Sequence, residues 1–196
     1  MSGTSDKIVG VHLGTGGSPL ILGLPVFGVA SVALGMGLIG KPTGFGVIVP
    51  ILLVTTGLYQ LVTTGWAIIL GQNIVAAIFG LFSGFWLSFG LLLLGLHLGW
   101  YEIPKGALPA SLELFFISYT ILFAFLIIPC LWLPWIYPLT VLLVAVALAL
   151  AAAGIYAVAG YFVLAFAFLA FWEFINVSVT AMGARGFPPL GKPLIS

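Results

Sequence analysis

Long apolar runs dominate the sequence, and they constrain its fold more than any other feature. A helix needs about 20 mostly apolar residues to cross the hydrocarbon core of a bilayer. Six such runs follow one another, roughly Pro19–Ile39, Phe45–Leu70, Ile74–Leu98, Leu114–Leu131, Leu139–Ala153 and a last run that ends near Val177. They are continuous and do not alternate as the strands of a membrane β-barrel do. The pattern predicts an all-α membrane protein with six transmembrane helices.

The scarcity of charge supports this fold class and excludes several others. Charged residues make up 5 % of the 196 residues, whereas a soluble domain has about 25 %. A net charge of +1 is too small for a nucleic-acid-binding face. The single cysteine, Cys130, excludes a disulfide within one chain and a cysteine-rich zinc site. We therefore expect the lipid bilayer as a partner, no nucleic acid, no metal and no cofactor.

The distribution of basic residues predicts how the chain is oriented. Lys7, Arg185 and Lys192 belong to the terminal segments, and with six crossings both termini share one side. Lys41 and Lys105 belong to loops on the other side. The positive-inside rule favours cytoplasmic termini by three basic residues to two. The expected parts are a polar leader of residues 1–18, a six-helix domain of residues 19–181 and a tail of residues 182–196.

Aromatic residues with a polar edge occur where the helices are expected to end. The residues beside breaks in the apolar pattern are Trp100, Tyr101, Trp132, Trp135 and Tyr137. Such side chains favour the headgroup layer of a membrane. We expect all five to be interfacial.

The second predicted helix carries a stripe of uncharged polar side chains. Its members, which share one helical face by their spacing of three and four residues, are Thr56, Gln60, Thr63 and Thr64. Groups of this kind must face protein or water and not lipid. Two interpretations remain open: hydrogen bonds between helices, or the wall of a polar pathway.

One acid lies within an apolar run, in the last third of the last predicted helix. Glu173 is followed one turn later by Asn176. An ionisable residue inside a membrane is costly, and it marks a functional site by default. The alternative is that Glu173 reaches the interface near the end of its helix.

Gly80 and Gly84 in the third run have the four-residue spacing of a close-packed helix face. Ordinary helix packing and a glycine wall that keeps a pore open are both consistent with this spacing. No sequence motif predicts an enzyme. The glycine-rich segment Gly14–Gly17 has no preceding strand and no following lysine of a phosphate loop.

Four segments, in order along the chain, resemble motifs of one family. Ser18–Gly28 is similar to the Asn-Pro-x-Pro-Leu-Gly-Leu-x-Gly-Phe opening of the acetate uptake transporter family, the succinate–acetate permeases of the YaaH/SatP type. Gly57–Gln60 resembles that family's Gly-x-x-Gln. Phe82–Ser88 resembles its Tyr-Gly-Ser-Phe-Trp-Leu-Thr, and Phe187–Gly191 its closing Leu-Pro-Ile-Gly.

This resemblance implies six helices around a narrow pathway in each subunit, and a hexamer of such subunits in the cytoplasmic membrane of a bacterium. It implies uptake of acetate and similar small monocarboxylates, with a proton as the implied coupling ion. It also implies an apolar constriction formed by Phe27 and Phe82, with a third member from the fifth helix near Leu143 or Val144.

The chain also departs from the family pattern. Ser18 stands for the opening asparagine, Gly35–Gly37 replaces a polar cluster late in the first helix, and an acid late in the second becomes apolar near Ala67. Three functions therefore stay open: a channel or transporter for small monocarboxylates, an accessory membrane subunit of the same fold without transport, and a channel for a neutral solute such as urea.

Overall fold

Six helices account for the apolar runs in a computed structural model that describes residues 17–40 and 46–195. They are α1 (Leu20–Leu38), α2 (Ile48–Ile69), α3 (Asn73–Leu98), α4 (Leu108–Cys130), α5 (Ile136–Ala152) and α6 (Tyr156–Ala181). Five are long and apolar enough to span a membrane. With 17 residues, α5 is at the lower limit for a crossing. The predicted fold class is confirmed, while the predicted leader falls outside the described residues except for its last two.

No charged residue marks the break between α5 and α6, and a single glycine produces the turn between them. α5 is capped by Ala153, and the next residue, Gly154, has a φ of +74°. That left-handed conformation is disfavoured for residues with a Cβ atom. The chain turns there and enters α6 two residues later. The boundary between the fifth and the last apolar run is therefore a true helix boundary.

Two helices begin earlier than the apolar pattern predicted. α4 begins at Leu108 and not at Leu114, because Glu113 is exposed on its second turn and its charge does not have to be buried. α5 begins at Ile136 and not at Leu139. Pro138 belongs to its first turn, where the missing N–H of proline costs no helical hydrogen bond.

Helix α2 is irregular along the stretch that faces its neighbours. Residues Ile51–Leu58 are π-helical, a form that leaves backbone groups displaced from the regular ladder. Ser83 of α3 donates a hydrogen bond of 2.8 Å to the carbonyl of Gly57. Thr56 donates one of 2.8 Å to the carbonyl of Val26 in α1. Side-chain hydroxyls thus attach α2 to both neighbours.

The helices pack as a ring in the order α2, α1, α6, α5, α4, α3, and α3 packs back against α2. The closest crossing is that of α1 with α6. A Cβ atom at Gly160 would lie 2.9 Å from the backbone oxygen of Gly35. Gly84, by contrast, is exposed and has no neighbour within 4 Å of a built Cβ among the described residues. The close-packed glycine contact therefore joins Gly35 to Gly160 and does not involve Gly84.

Candidate functional site

A cavity of about 260 Å³, which we call the vestibule, lies at one end of the ring. It lies where α1, α3 and α5 begin and where α6 approaches its end. Its walls are formed by Leu20, Leu24, Phe27, Val75, Ile78, Phe79, Phe82, Leu133, Pro134, Tyr137, Thr140, Val141, Glu173 and Leu190. Three of these residues carry a polar side-chain group, namely Tyr137, Thr140 and Glu173. The rest of the wall is apolar.

Among the described residues, Glu173 supplies the one carboxyl group of the vestibule wall. Only 1 % of its surface is exposed. The hydroxyl oxygen of Thr140 lies 2.8 Å from its Oε1 and 2.9 Å from the carbonyl oxygen of Ile136. The alternative in which Glu173 reaches the membrane interface does not fit this burial. The structure places the side chain inside the protein, against the cavity.

Tyr137 differs from the other predicted interfacial aromatic residues. Trp100, Trp132 and Trp135 are exposed at helix ends. Tyr137 is half-buried in the first turn of α5 and forms part of the vestibule wall. Tyr137 therefore lies at a helix end, as expected, and its side chain also contributes to a cavity wall. One helical turn joins it to Thr140, so both project into the same cavity.

Tightly packed aromatic rings close the inner end of the vestibule; we call them the constriction. The ring centroids of Phe27 and Phe82 are 4.7 Å apart. Phe27 also stacks on Phe166 at 5.4 Å, and Phe82 on Phe123 at 4.5 Å. All four side chains are buried. Rings from α1, α3, α4 and α6 therefore meet at the centre of the helix ring.

Two further cavities lie on the other side of the constriction. The inner one is about 30 Å³ and is lined in part by Phe166 and Val144. The outer one is about 370 Å³ and is lined in part by Gly37, Leu112 and Tyr156. Both share Leu38, Phe89 and Phe116 as wall residues. The order from end to end is vestibule, constriction, inner cavity, outer cavity.

The structure distinguishes the two candidates on α5. Val141 lines the vestibule and Val144, one turn later, lines the inner cavity. Leu143 is half-buried, packs against the core and lines neither cavity. Of the two candidates, Val144 is thus the one that lines a cavity, where it shares the wall with Phe166. Phe123 and Phe166, which no motif indicated, complete the aromatic cluster.

The polar stripe on α2 does not reach the cavities. Among the described residues, its four members line none of the three cavities. Thr63 and Thr64 donate to carbonyls of their own helix, each at 2.8 Å, and Thr56 bonds to α1 as described above. Gln60 is fully buried, and its two side-chain polar atoms have no hydrogen-bond partner within the described part of the chain.

Asn176 holds the C-terminal tail and is not part of the vestibule wall. Its Nδ2 donates to the carbonyl of Pro188 at 2.7 Å, and Trp172 donates to that of Pro189 at 3.1 Å. The next residue, Leu190, lines the vestibule. The backbone N–H of Trp135 donates to the carbonyl of Lys192 at 3.1 Å. The tail therefore forms one wall of the cavity.

We expect Asn176→Ala to loosen this tail. A typical hydrogen bond contributes about 0.5–1.5 kcal/mol net, so the detached tail should be about 2- to 12-fold more populated. Arg185 is exposed and offers trypsin the bond to Gly186. Trypsin should cleave this bond faster in the variant than in the parent chain by that factor. Mass spectrometry measures the two cleavage rates. Ser118→Ala, which removes a hydroxyl from the outside of α4, is the control; equal rates for both variants would contradict the anchoring role.

No cluster of three or more histidine, cysteine, aspartate or glutamate side chains suited to a metal ion occurs among the described residues. The polar groups of the vestibule form a hydrogen-bonded pair and a nearby phenol, which suits a small organic solute better than a cation with several ligands.

No protein-family model matches the chain, and no curated protein sequence matches it either. Among solved structures, one described as that of the bacterial acetate channel SatP is similar to this chain, with a TM-score of 0.81. The match covers 89 % of this chain and 99 % of the other, at 22 % sequence identity. The two proteins share a fold. The resemblance that the motifs suggested is thereby confirmed at the level of the fold.

Proposed function

We propose that the protein is a membrane channel or transporter for acetate and similar small monocarboxylates. The observation that carries the proposal is a line of cavities interrupted by one aromatic constriction, inside a fold shared with an acetate channel. The proposed pathway runs from the vestibule between Phe27 and Phe82, past Val144, into the inner and outer cavities. We assign the polar stripe of α2 to helix packing.

The constriction favours a neutral solute. Its rings offer no hydrogen bond to a carboxylate, and stripping a charged group of water costs several kcal/mol or more. Protonation of the acid removes most of that cost. The proposed mechanism is therefore passage of the undissociated acid, which carries its own proton across the membrane.

This mechanism predicts a steep dependence of flux on pH. Carboxylic acids titrate near pH 4, so the undissociated fraction falls about tenfold for each pH unit above that value. At constant total acetate, we expect the protein-dependent flux to fall about a hundredfold between pH 5 and pH 7. The measurement is acidification inside proteoliposomes that contain a trapped pH dye. Flux that is flat over this range would contradict passage of the undissociated acid.

Empty liposomes are the necessary control, because acetic acid leaks through lipid. Flux above this leak that is reduced by propionate supports a monocarboxylate pathway. Urea flux without acetate flux would replace the proposal by a neutral-solute channel. A folded sample with neither flux would point to an accessory subunit.

The proposal includes a location and an assembly. We place the chain in the cytoplasmic membrane of a bacterium with cytoplasmic termini, and we propose a homo-oligomer, a hexamer by the motif resemblance. The basic residues of the terminal segments and the exposed apolar helix faces support these assignments. Native mass spectrometry of the protein released from membranes tests the subunit number.

A further inference from the structure

The vestibule has a chemical asymmetry that the passage of acetate alone does not require. Its polar groups, Tyr137, Thr140 and Glu173, belong to α5 and α6, while the parts of the wall from α1 and α3 are apolar. Phe27, Phe79 and Phe82 lie among that apolar part. A ligand that matches both parts has one small polar end and an apolar body.

The hydrogen-bond geometry indicates which polar end fits. Thr140 has one hydroxyl hydrogen but two oxygens within reach, those of Ile136 and Glu173. A protonated Glu173 can donate to Thr140 while Thr140 donates to Ile136, which satisfies all three groups. A neutral carboxyl group at this position leaves an oxygen free to accept a hydrogen bond from a second carboxylic acid.

The titratable surroundings of Glu173 do not oppose a neutral pair. Tyr137 on α5 and Cys130 at the end of α4 are the titratable side chains near it within the described part of the chain. Neither carries a charge at acidic pH. The tail contributes Leu190 to the wall, while its basic residues, Arg185 and Lys192, are exposed.

The size of the vestibule exceeds the needs of acetate. An engineered apolar cavity of about 150 Å³ in another protein holds benzene, with its six carbons. The vestibule has about 260 Å³, which leaves room for a six-carbon chain with its carboxyl group. The inner cavity beyond the constriction has about 30 Å³, about the volume share of one water molecule. A long acid fits the vestibule but has no comparable space directly behind the constriction, where the inner cavity separates it from the outer cavity of about 370 Å³.

We propose that the vestibule is a binding site for undissociated monocarboxylic acids of about four to six carbons, which are held there and block the passage of acetate. The acid group pairs with Glu173 beside Thr140, and the alkyl chain lies against Phe27, Phe79 and Phe82. The blocking role rests on the proposed function, whereas the binding can be measured without it. An alkylammonium ion would also pair with a Glu173 carboxylate, but both charges would then be buried, and their desolvation opposes binding.

The test measures binding of radiolabelled propionate, butyrate and hexanoate to the full chain in lipid nanodiscs at pH 5, with empty nanodiscs as the reference. Each added methylene should tighten binding about fourfold, the equivalent of about 0.8 kcal/mol. Binding at constant total acid should weaken about tenfold per unit as the pH rises to 7. Glu173→Gln should retain binding, since an amide can pair with an acid, and Glu173→Leu should weaken it at least tenfold.

A second pair of variants tests the cavity and keeps the result clear if substitutions at Glu173 prevent folding. Ile78→Phe fills part of the vestibule and should weaken hexanoate binding at least tenfold. Leu92→Phe, a half-buried residue of the same helix that lines none of the three cavities described, is the matched control and should leave binding unchanged. No dependence on chain length, or equal effects of the two variants, overturns the inference.

Two further measurements, of hexylamine binding and of acetate flux, distinguish the remaining outcomes. Hexylamine that binds more tightly than hexanoate overturns the inference in favour of a cation site. Acetate flux is measured on the same preparation. Flux without hexanoate binding overturns this inference and leaves the proposed function standing. Hexanoate binding without any acetate flux contradicts the proposed function and supports the binding site.

Discussion

Phe82→Ala is expected to raise acetate flux about 5- to 150-fold. For a solute to pass, Phe82 must separate from Phe27 and from Phe123, which lie at centroid distances of 4.7 and 4.5 Å. An aromatic pair contributes about 0.5–1.5 kcal/mol beyond area burial, so separating two pairs adds about 1–3 kcal/mol to the barrier. Each 1.36 kcal/mol corresponds to a tenfold change in rate. The measurement is the acetate-driven acidification of proteoliposomes, together with the flux of larger acids.

The control for this variant is Phe85→Ala, about one helical turn further along α3. Phe85 is as buried as Phe82 and stacks on Phe89, but it lines none of the three cavities described. Both substitutions remove a core aromatic residue and should lower the free energy of unfolding by about 3–5 kcal/mol. Only Phe82→Ala should raise flux and admit butyrate. Identical flux from the two variants would show that Phe82 is a packing residue and not part of the constriction.

The six helices could be predicted from the sequence because a helix that crosses a bilayer needs a minimum length of apolar residues. A run near 20 apolar residues predicts a crossing whatever it packs against. The boundaries that were misplaced are those where a polar or helix-breaking residue is tolerated near a helix start. Glu113 and Pro138 are the two examples, and both belong to first or second turns.

The centre of the site was only partly predictable. Phe27 and Phe82 were predicted for the constriction only because of the motif resemblance. Nothing else in the sequence distinguishes their positions. The chain has 16 phenylalanines, and helices that are apolar on every side do not show which face points inward. Phe123 and Phe166 were therefore missed. The stripe on α2 was visible for the opposite reason, since polar residues on an apolar helix stand out, yet its hydroxyls bond to helix backbones and not to a pathway.

Glu173 shows how tertiary packing changes the surroundings of a residue from those that the sequence suggests. From the sequence, its place in the last third of the last helix allowed an interfacial position. The returning tail changes this, because Asn176 and Trp172 hold Pro188 and Pro189 against α6. Leu190 then lies in the wall of the same cavity as Glu173. Sequence spacing contains no information about that return.

Gly160→Ala is expected to lower the free energy of unfolding by about 1–3 kcal/mol more than Gly84→Ala. A Cβ at Gly160 would lie 2.8 Å from Cγ2 of Ile39, 2.9 Å from the backbone oxygen of Gly35 and 3.0 Å from Cβ of Leu38. Two of these atoms cannot move without moving α1, and overpacking of this kind costs about 1–3 kcal/mol. Both variants gain the same helix propensity, about 1 kcal/mol, so their difference isolates the contact.

Displacing the α1–α6 crossing would affect the whole site, because this crossing joins the first helix of the chain to the last. α1 supplies Phe27 and α6 supplies Phe166 and Glu173, so a displaced crossing shifts the constriction and the vestibule together. We expect Gly160→Ala to lower both the unfolding midpoint in detergent and the ratio of acetate to butyrate flux. Gly84→Ala should change neither to the same extent, because its added methyl group meets no described atom within 4 Å. Equal decreases in the unfolding midpoint for the two variants would mean that another subunit covers Gly84. That result would favour the proposed oligomer. The two variants would then be compared again in a monomeric form.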